Sequence, residues 1–157
     1  MDSINEIRLV LSVLLESTLI SITHAADLIS LVFNKDDNEY AFHSQTLTRF
    51  IEANSILFTR TDYFNREDYN DENYDKTDLD LKLSLYRSSF ENLKIISINV
   101  TDIGDISFVL ENKLRIEAVI DSSIDSYGYG NEHWRFFDMK EENQHFVVSD
   151  NLKIERT

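Results

Sequence analysis

The chain contains no cysteine, no proline and only three glycines in 157 residues. Without cysteine there is no disulfide, no thiolate metal ligand and no cysteine nucleophile, and the absence suits a reducing compartment. The scarcity of glycine extends to motifs: G-x-G-x-x-G, Walker A and G-x-S-x-G are all missing, which removes phosphate cradling by a glycine-rich loop and the nucleophile elbow. Basic residues are few as well, 15 against 29 acids, for a net charge of −14. A surface of that sign repels phosphate backbones at long range, which argues against a conventional nucleic-acid binder, while a basic protein is attracted and its encounter accelerated.

What is present is a globular composition, 42% hydrophobic, with no repeat and no linker. This predicts one domain over residues 1–157, large enough to bury a core without staples. The apolar stretch 7–33 is interrupted by Glu16, His24 and Asp27. Its unbroken part, from Leu9 to Leu15, is too short to span a bilayer. Asp2 and Glu6 stand where a leader would be basic, so the expectation is a cytoplasmic protein without signal peptide or membrane partner.

Residues 3–15 fit a short helix or a first strand. From Thr18 the pattern is β: "TLISITH" and "DLISLVF" flank a turn at "HAAD". "EYAFHSQTLTRFIE" (39–52) alternates as one strand, with "SILFTRTDYF" (55–64) as its neighbour. A helix is predicted through "DLDLKLSLYRSSFENL", where Leu79, Leu83, Tyr86 and Phe90 recur at helical spacing and Asp78 is the N-cap. "LKIISINV", "DISFVLE" and "KLRIEAVID" read as a meander. "EHWRFFDM" and "QHFVVSD" read as a last hairpin around "KEEN", with Trp134, Phe136, Phe146 and Val148 on its apolar face. The predicted class is α+β: a mainly antiparallel, curved or partly closed sheet with one mid-chain helix.

Between Asp62 and Asp80 lie eight acids against Arg66 and Lys76. Asp71, Asn73, Asp75 and Thr77 alternate as in a calcium loop. The positions that would need glycine and glutamate hold Lys76 and Lys82, so no metal is expected. Tyrosines among carboxylates make a good protein contact. The candidate partner-binding residues are therefore Asp62, Glu67, Asp68, Tyr69, Asp71, Glu72, Tyr74, Asp75 and Asp78. Tyr63 and Phe64 are assigned to the core. The four histidines, His24, His43, His133 and His145, show no i, i+3 or i, i+4 pair and no H-E-x-x-H. Alternation sets His133, Arg135 and Phe137 on one strand face, and the hairpin could bring His133 near His145 as an acid/base pair.

Tyr40, His43, Gln45 and Arg49, then Asp62 and Tyr63, then Trp134, Arg135, Phe137, His145 and Phe146 give the chain a further aspect. It resembles a group of small bacterial proteins with a Y-x-x-H-x-Q strand, a D-Y-aromatic segment and a late W-R-x-F / H-F-V-V hairpin. Thr48 stands where typical members carry tryptophan. Such proteins are similar to immunity partners that neutralise interbacterial toxins, including those of contact-dependent growth inhibition. The resemblance implies no catalytic residue and no cofactor. It implies a cognate basic toxin domain, such as a nuclease, as partner. Two other functions fit the composition: a phage or mobile-element inhibitor that mimics nucleic-acid charge, and a small enzyme using a histidine pair.

Overall fold

The computed structural model describes residues 1–66, 76–123 and 131–157. Among the described residues, two α-helices, α1 (Ser3–Leu11) and α2 (Asp78–Phe90), accompany eleven strands. The strands are β1 (Thr18–Ala25), β2 (Leu28–Lys35), β3 (Asn38–Ser44), β4 (Leu47–Glu52), β5 (Ser55–Thr59), β6 (Leu93–Val100), β7 (Ile106–Leu110), β8 (Leu114–Val119), β9 (Glu132–Asp138), β10 (Phe146–Ser149) and β11 (Lys153–Arg156). Every pairing is antiparallel, in the order β11-β10-β9-β3-β2-β1-β6-β7-β8-β4-β5. The α+β class and the dominance of antiparallel strands agree with the sequence pattern. Partial closure does not occur: β11 and β5 end an open sheet. Residues 3–15 resolve as helix α1 and a 3-10 turn, with the Asp2 side chain accepting from the Asn5 N–H at 2.9 Å and Ile7 and Leu11 buried four residues apart.

The sheet folds over on itself at its weakest seam. β1 and β6 share only Thr18↔Lys94 and Leu19↔Leu93. Beyond them the two halves turn inward, because Phe33 of β2 and Phe42 of β3 meet Phe108 of β7 at 5.7 and 5.2 Å between ring centroids. In a flat sheet β3 and β7 would stand about 19 Å apart, four strand spacings. Trp134 stacks on Phe42 at 5.2 Å, and Phe50, Phe58 and Phe90 continue the core beneath α2. Trp134, Phe136, Phe146 and Val148 are all buried, as the hairpin pattern requires. The two halves also meet at their rim, where the Leu152 side chain fills the space that a Cβ on Gly104 would need.

The stretch 39–52 is two strands, not one. β3 ends at Ser44 beside β9, and β4 begins at Leu47 beside β8, in the opposite half. The crossing is lined by hydroxyls. Thr48 Oγ1 donates to Ser44 Oγ at 2.8 Å, Thr46 Oγ1 donates to the Asp121 carboxylate at 2.8 Å, and Leu47 N–H donates to the same carboxylate at 2.9 Å. Alternation continues through such a crossing, so the pattern alone reads as a single strand.

Phe108 is the ring that both Phe33 and Phe42 touch across the fold. Phe108→Ala is expected to cost about 3–5 kcal/mol in urea unfolding, the range for a fully buried aromatic. A loss under about 1 kcal/mol would mean that the halves are held elsewhere.

Candidate functional site

The described residues on either side of the acidic stretch meet at one point. The Asp78 N–H donates to the Asn65 carbonyl at 2.8 Å, closing a neck. Both flanks carry a T-x-x-D sequence, Thr59 to Asp62 and Thr77 to Asp80, and each folds as a helix start. Before the neck, in the 3-10 helix Arg60–Phe64, the Asp62 carboxylate reaches back to the Thr59 N–H at 2.9 Å. After it, the Asp80 carboxylate reaches back to the Thr77 N–H at 2.9 Å. The N-cap of α2 is therefore Thr77, one residue before the expected Asp78. Thr77 wins because a carboxylate three residues on can satisfy its own N–H, which no acid does for Asp78.

The β1–β2 turn braces this neck. His24 Nε2 contacts Asp80 Oδ1 at 2.6 Å, and its Nδ1 contacts the Ala26 carbonyl at 2.8 Å. Arg60 pairs with the Asp27 carboxylate and also donates from Nε to the Asp27 carbonyl at 2.6 Å. Tyr63 packs edge-on against His24 and rests on the core, as expected. Phe64 does not: it is 63% exposed, because the 3-10 helix ends there and turns its ring outward. Burial works to raise the Asp80 carboxyl. The hydrogen bonds from Thr77 and His24 and the His24 charge outweigh it and hold Asp80 below its ordinary value.

Of the candidate partner-binding residues, Asp62 and Asp78 are placed beside this neck. Glu67, Asp68, Tyr69, Asp71, Glu72, Tyr74 and Asp75 lie outside the described residues. Asp62 already serves as a helix-capping carboxylate. Asp78 occupies the first turn of α2, where the helix N-terminus favours negative charge, and its Oδ1 is buried without a hydrogen-bond partner.

The histidines pair differently from the expected arrangement. The β9–β10 register shifts between Val148 and Ser149, so that Ser149 faces Glu132 and His133 becomes the extra residue of a bulge. His133 consequently turns inward. It is buried, with Nε2 3.6 Å from Asp150 Oδ1. Glu132 moves to the Arg135 face, and Arg135 grips it through Nε at 2.9 Å and Nη2 at 2.5 Å. The remaining Arg135 donor, Nη1, points to His145 Nδ1 at 2.8 Å. A guanidinium only donates, so His145 Nδ1 is the acceptor in that contact. His145 stacks on Phe137 at 4.0 Å, and His43 meets the other side of the cluster, edge-on to Phe137 at 5.2 Å. His43 and His145 thus share Phe137, His43 on β3 and His145 just ahead of β10, the two strands that flank β9. Gln45 completes the cluster, donating to Glu132 at 2.9 Å.

No group of three or more metal-ligating side chains occurs among the described residues. The sequence names every member of the Arg135 cluster, but it does not show the bulge that assembles it. Burial lowers the His43 pKa from its ordinary 6.5, aided by the Arg135 and His145 charges and opposed by Glu132. For Glu132, burial raises the carboxyl, but the Arg135 hydrogen bonds and charge prevail and hold it low.

These shifts have opposite chemistry and separate pH windows. A histidine held low contributes its stability above its ordinary value and loses it as the pH falls through the folded one. Unfolding measured from pH 8 downward should show a loss that begins near 6.5 and is reduced in His43→Gln. An unchanged slope in that variant would remove His43 as its source. Asp80, held low, contributes above its ordinary 3.8 and loses that contribution below it. Asp80→Ala is expected to cost about 1–2 kcal/mol at neutral pH, as loss of a helix cap does. The difference from wild type should shrink on acidification. No protein-family model, no curated protein and no solved structure matches the chain, so its own residues carry the functional reading.

Proposed function

We propose that this chain is an immunity-type protein. It binds a basic toxin domain and occludes that domain's active site or substrate cleft, a nuclease being the class whose phosphate-binding surface best matches the charge. The supporting observation is the closed neck. Asn65 and Asp78 meet by one hydrogen bond, with T-x-x-D caps on either side. The sequence between them holds Glu67, Asp68, Asp71, Glu72 and Asp75 with Tyr69 and Tyr74. The two flanks of the acidic stretch are thereby tied to each other by contacts of their own, and the role proposed for its carboxylates is to meet the partner.

The distribution of cations favours the same reading. Arg8, Arg49, Arg60, Arg87, Arg115, Arg135 and Arg156 are each already paired with a carboxylate within the chain. These arginines are engaged internally, and the excess of acids is left to steer a basic partner. The resemblance to immunity partners, carried by Tyr40, His43, Gln45, Trp134, Arg135 and His145, points the same way. No cofactor enters this role.

The test is binding to the product of the reading frame adjacent to this chain's own, which the proposal expects to be a basic toxin domain. Making Asp68, Asp71 and Asp75 into Asn and Glu72 into Gln should slow association about tenfold or more and flatten its salt dependence, leaving unfolding unchanged. Full affinity in that variant would sink the assignment of these acids. Failure of the wild-type chain to protect against the toxin would sink the function.

A further inference from the structure

Residues 79–85 read LDLKLSL, with leucine at every second position. A period of two belongs to a half-buried strand. The T-x-x-D cap nonetheless starts a 13-residue helix here. A helix advances about 100° per residue, so it sorts these leucines onto two faces. Leu79 and Leu83 go into the core with Phe90, while Leu81 and Leu85, four apart, face outward. They are 54% and 64% exposed. Phe64 is 63% exposed and precedes Asn65, whose carbonyl meets the Asp78 N–H. Asp78 is about one helical turn from Leu81. Three large apolar side chains therefore lie near the neck, and Asp78 has a carboxylate oxygen without a partner.

We infer that the outward face of α2, Leu81 and Leu85 with Phe64 and Asp78 beside them, is a docking surface for a basic amphipathic segment of a protein partner. The inference rests on the acidic-binder reading and adds an apolar component to it. Charge selects the occupant. A second copy of the chain would bring another −14 and is repelled, and an anionic membrane is repelled likewise. A segment that interleaves Lys or Arg with Leu or Ile matches both properties: its apolar side chains cover the leucines, and its cations are drawn by the chain's net charge of −14. Such a contact joins an apolar centre to a polar rim, the arrangement of a specific interface.

The test uses two peptides of about 14 residues and equal positive charge, one a Leu/Lys amphipathic helix and the other with every Leu replaced by Ser. Fluorescence anisotropy at low salt should show the wild-type chain binding the Leu/Lys peptide at least tenfold tighter than the Ser/Lys peptide. The double variant Leu81→Ser/Leu85→Ser should lose that margin while keeping its weak binding of the Ser/Lys peptide. Its circular dichroism and unfolding midpoint should stay at wild-type values, since both side chains are exposed. Wild-type preference in the double variant would overturn the inference and leave the acidic reading standing. Dimerisation of the wild type that the same substitutions abolish would also overturn it, by making a second copy the occupant. Failure of the wild type to bind either peptide would overturn the acidic reading and this surface with it.

Discussion

Everything in this fold depends on an aromatic contact that the sheet alone would not make. Phe33 and Phe42 come from one half of the strand order and Phe108 from the other, and their rings meet at 5.7 and 5.2 Å. The β1–β6 seam is short, two registered pairs with backbone bonds from Ile95 to Ser17 and from Asn92 to Leu19 beside them, and it leaves the angle between the halves to side-chain packing. The angle follows from apolar burial, which contributes about 1.5–3 kcal/mol for each large side chain removed from water. Once Phe108 is seated, Phe42 can carry Trp134, and Trp134 can carry Phe146 at 5.9 Å. The closing hairpin therefore depends on a ring four strand positions away from β3, and only through that seating does the outer face of β9 acquire its fixed cluster.

A chain with a charge of −14 must keep its acids from weakening the body of the fold. Here several carboxylates are put to structural use. Asp2, Asp62 and Asp80 accept from helix-start amides, where the helix N-terminus favours negative charge. Asp121 holds the β3–β4 crossing by accepting from Thr46 and Leu47. Asp150 receives the Asn131 N–H at 2.9 Å beside His133. Where a carboxylate falls three residues after a threonine, as Asp62 and Asp80 do, it caps the helix start.

Much of this was legible in the sequence, and the failures share one cause. Hairpins β1–β2 and β9–β10, the β6–β7–β8 meander and the buried face of α2 follow from period and turn residues, which are local. The division of 39–52 into β3 and β4 was not legible, because Ser44, Thr46 and Thr48 preserve alternation while the chain crosses between halves. The His133 bulge was hidden for the same reason: one extra residue inverts the faces after it, and nothing in "NEHWRFF" marks the place. Strand β11 escaped because "KIER" is short and charged, the composition of a protected edge. The Thr77 cap, by contrast, was visible as T-x-x-D, and weighing Asp78 by its residue type alone passed over that spacing. Local pairs are readable from one sequence, whereas register and the choice of partner strand are set by contacts far along the chain.

The two polar centres use their histidines for different structural ends. At the neck, His24 stands between the Ala26 carbonyl and the Asp80 carboxylate, at 2.8 and 2.6 Å. With both ring nitrogens engaged, it ties the β1–β2 turn to the start of α2, two elements that lie far apart along the chain. On the outer face, His145 Nδ1 accepts from the Arg135 guanidinium at 2.8 Å, and its ring stacks on Phe137. Arg135 holds Glu132 on its other side. The cluster therefore spans the bulge at His133, bracing the bulged strand while Trp134 lies buried in the core.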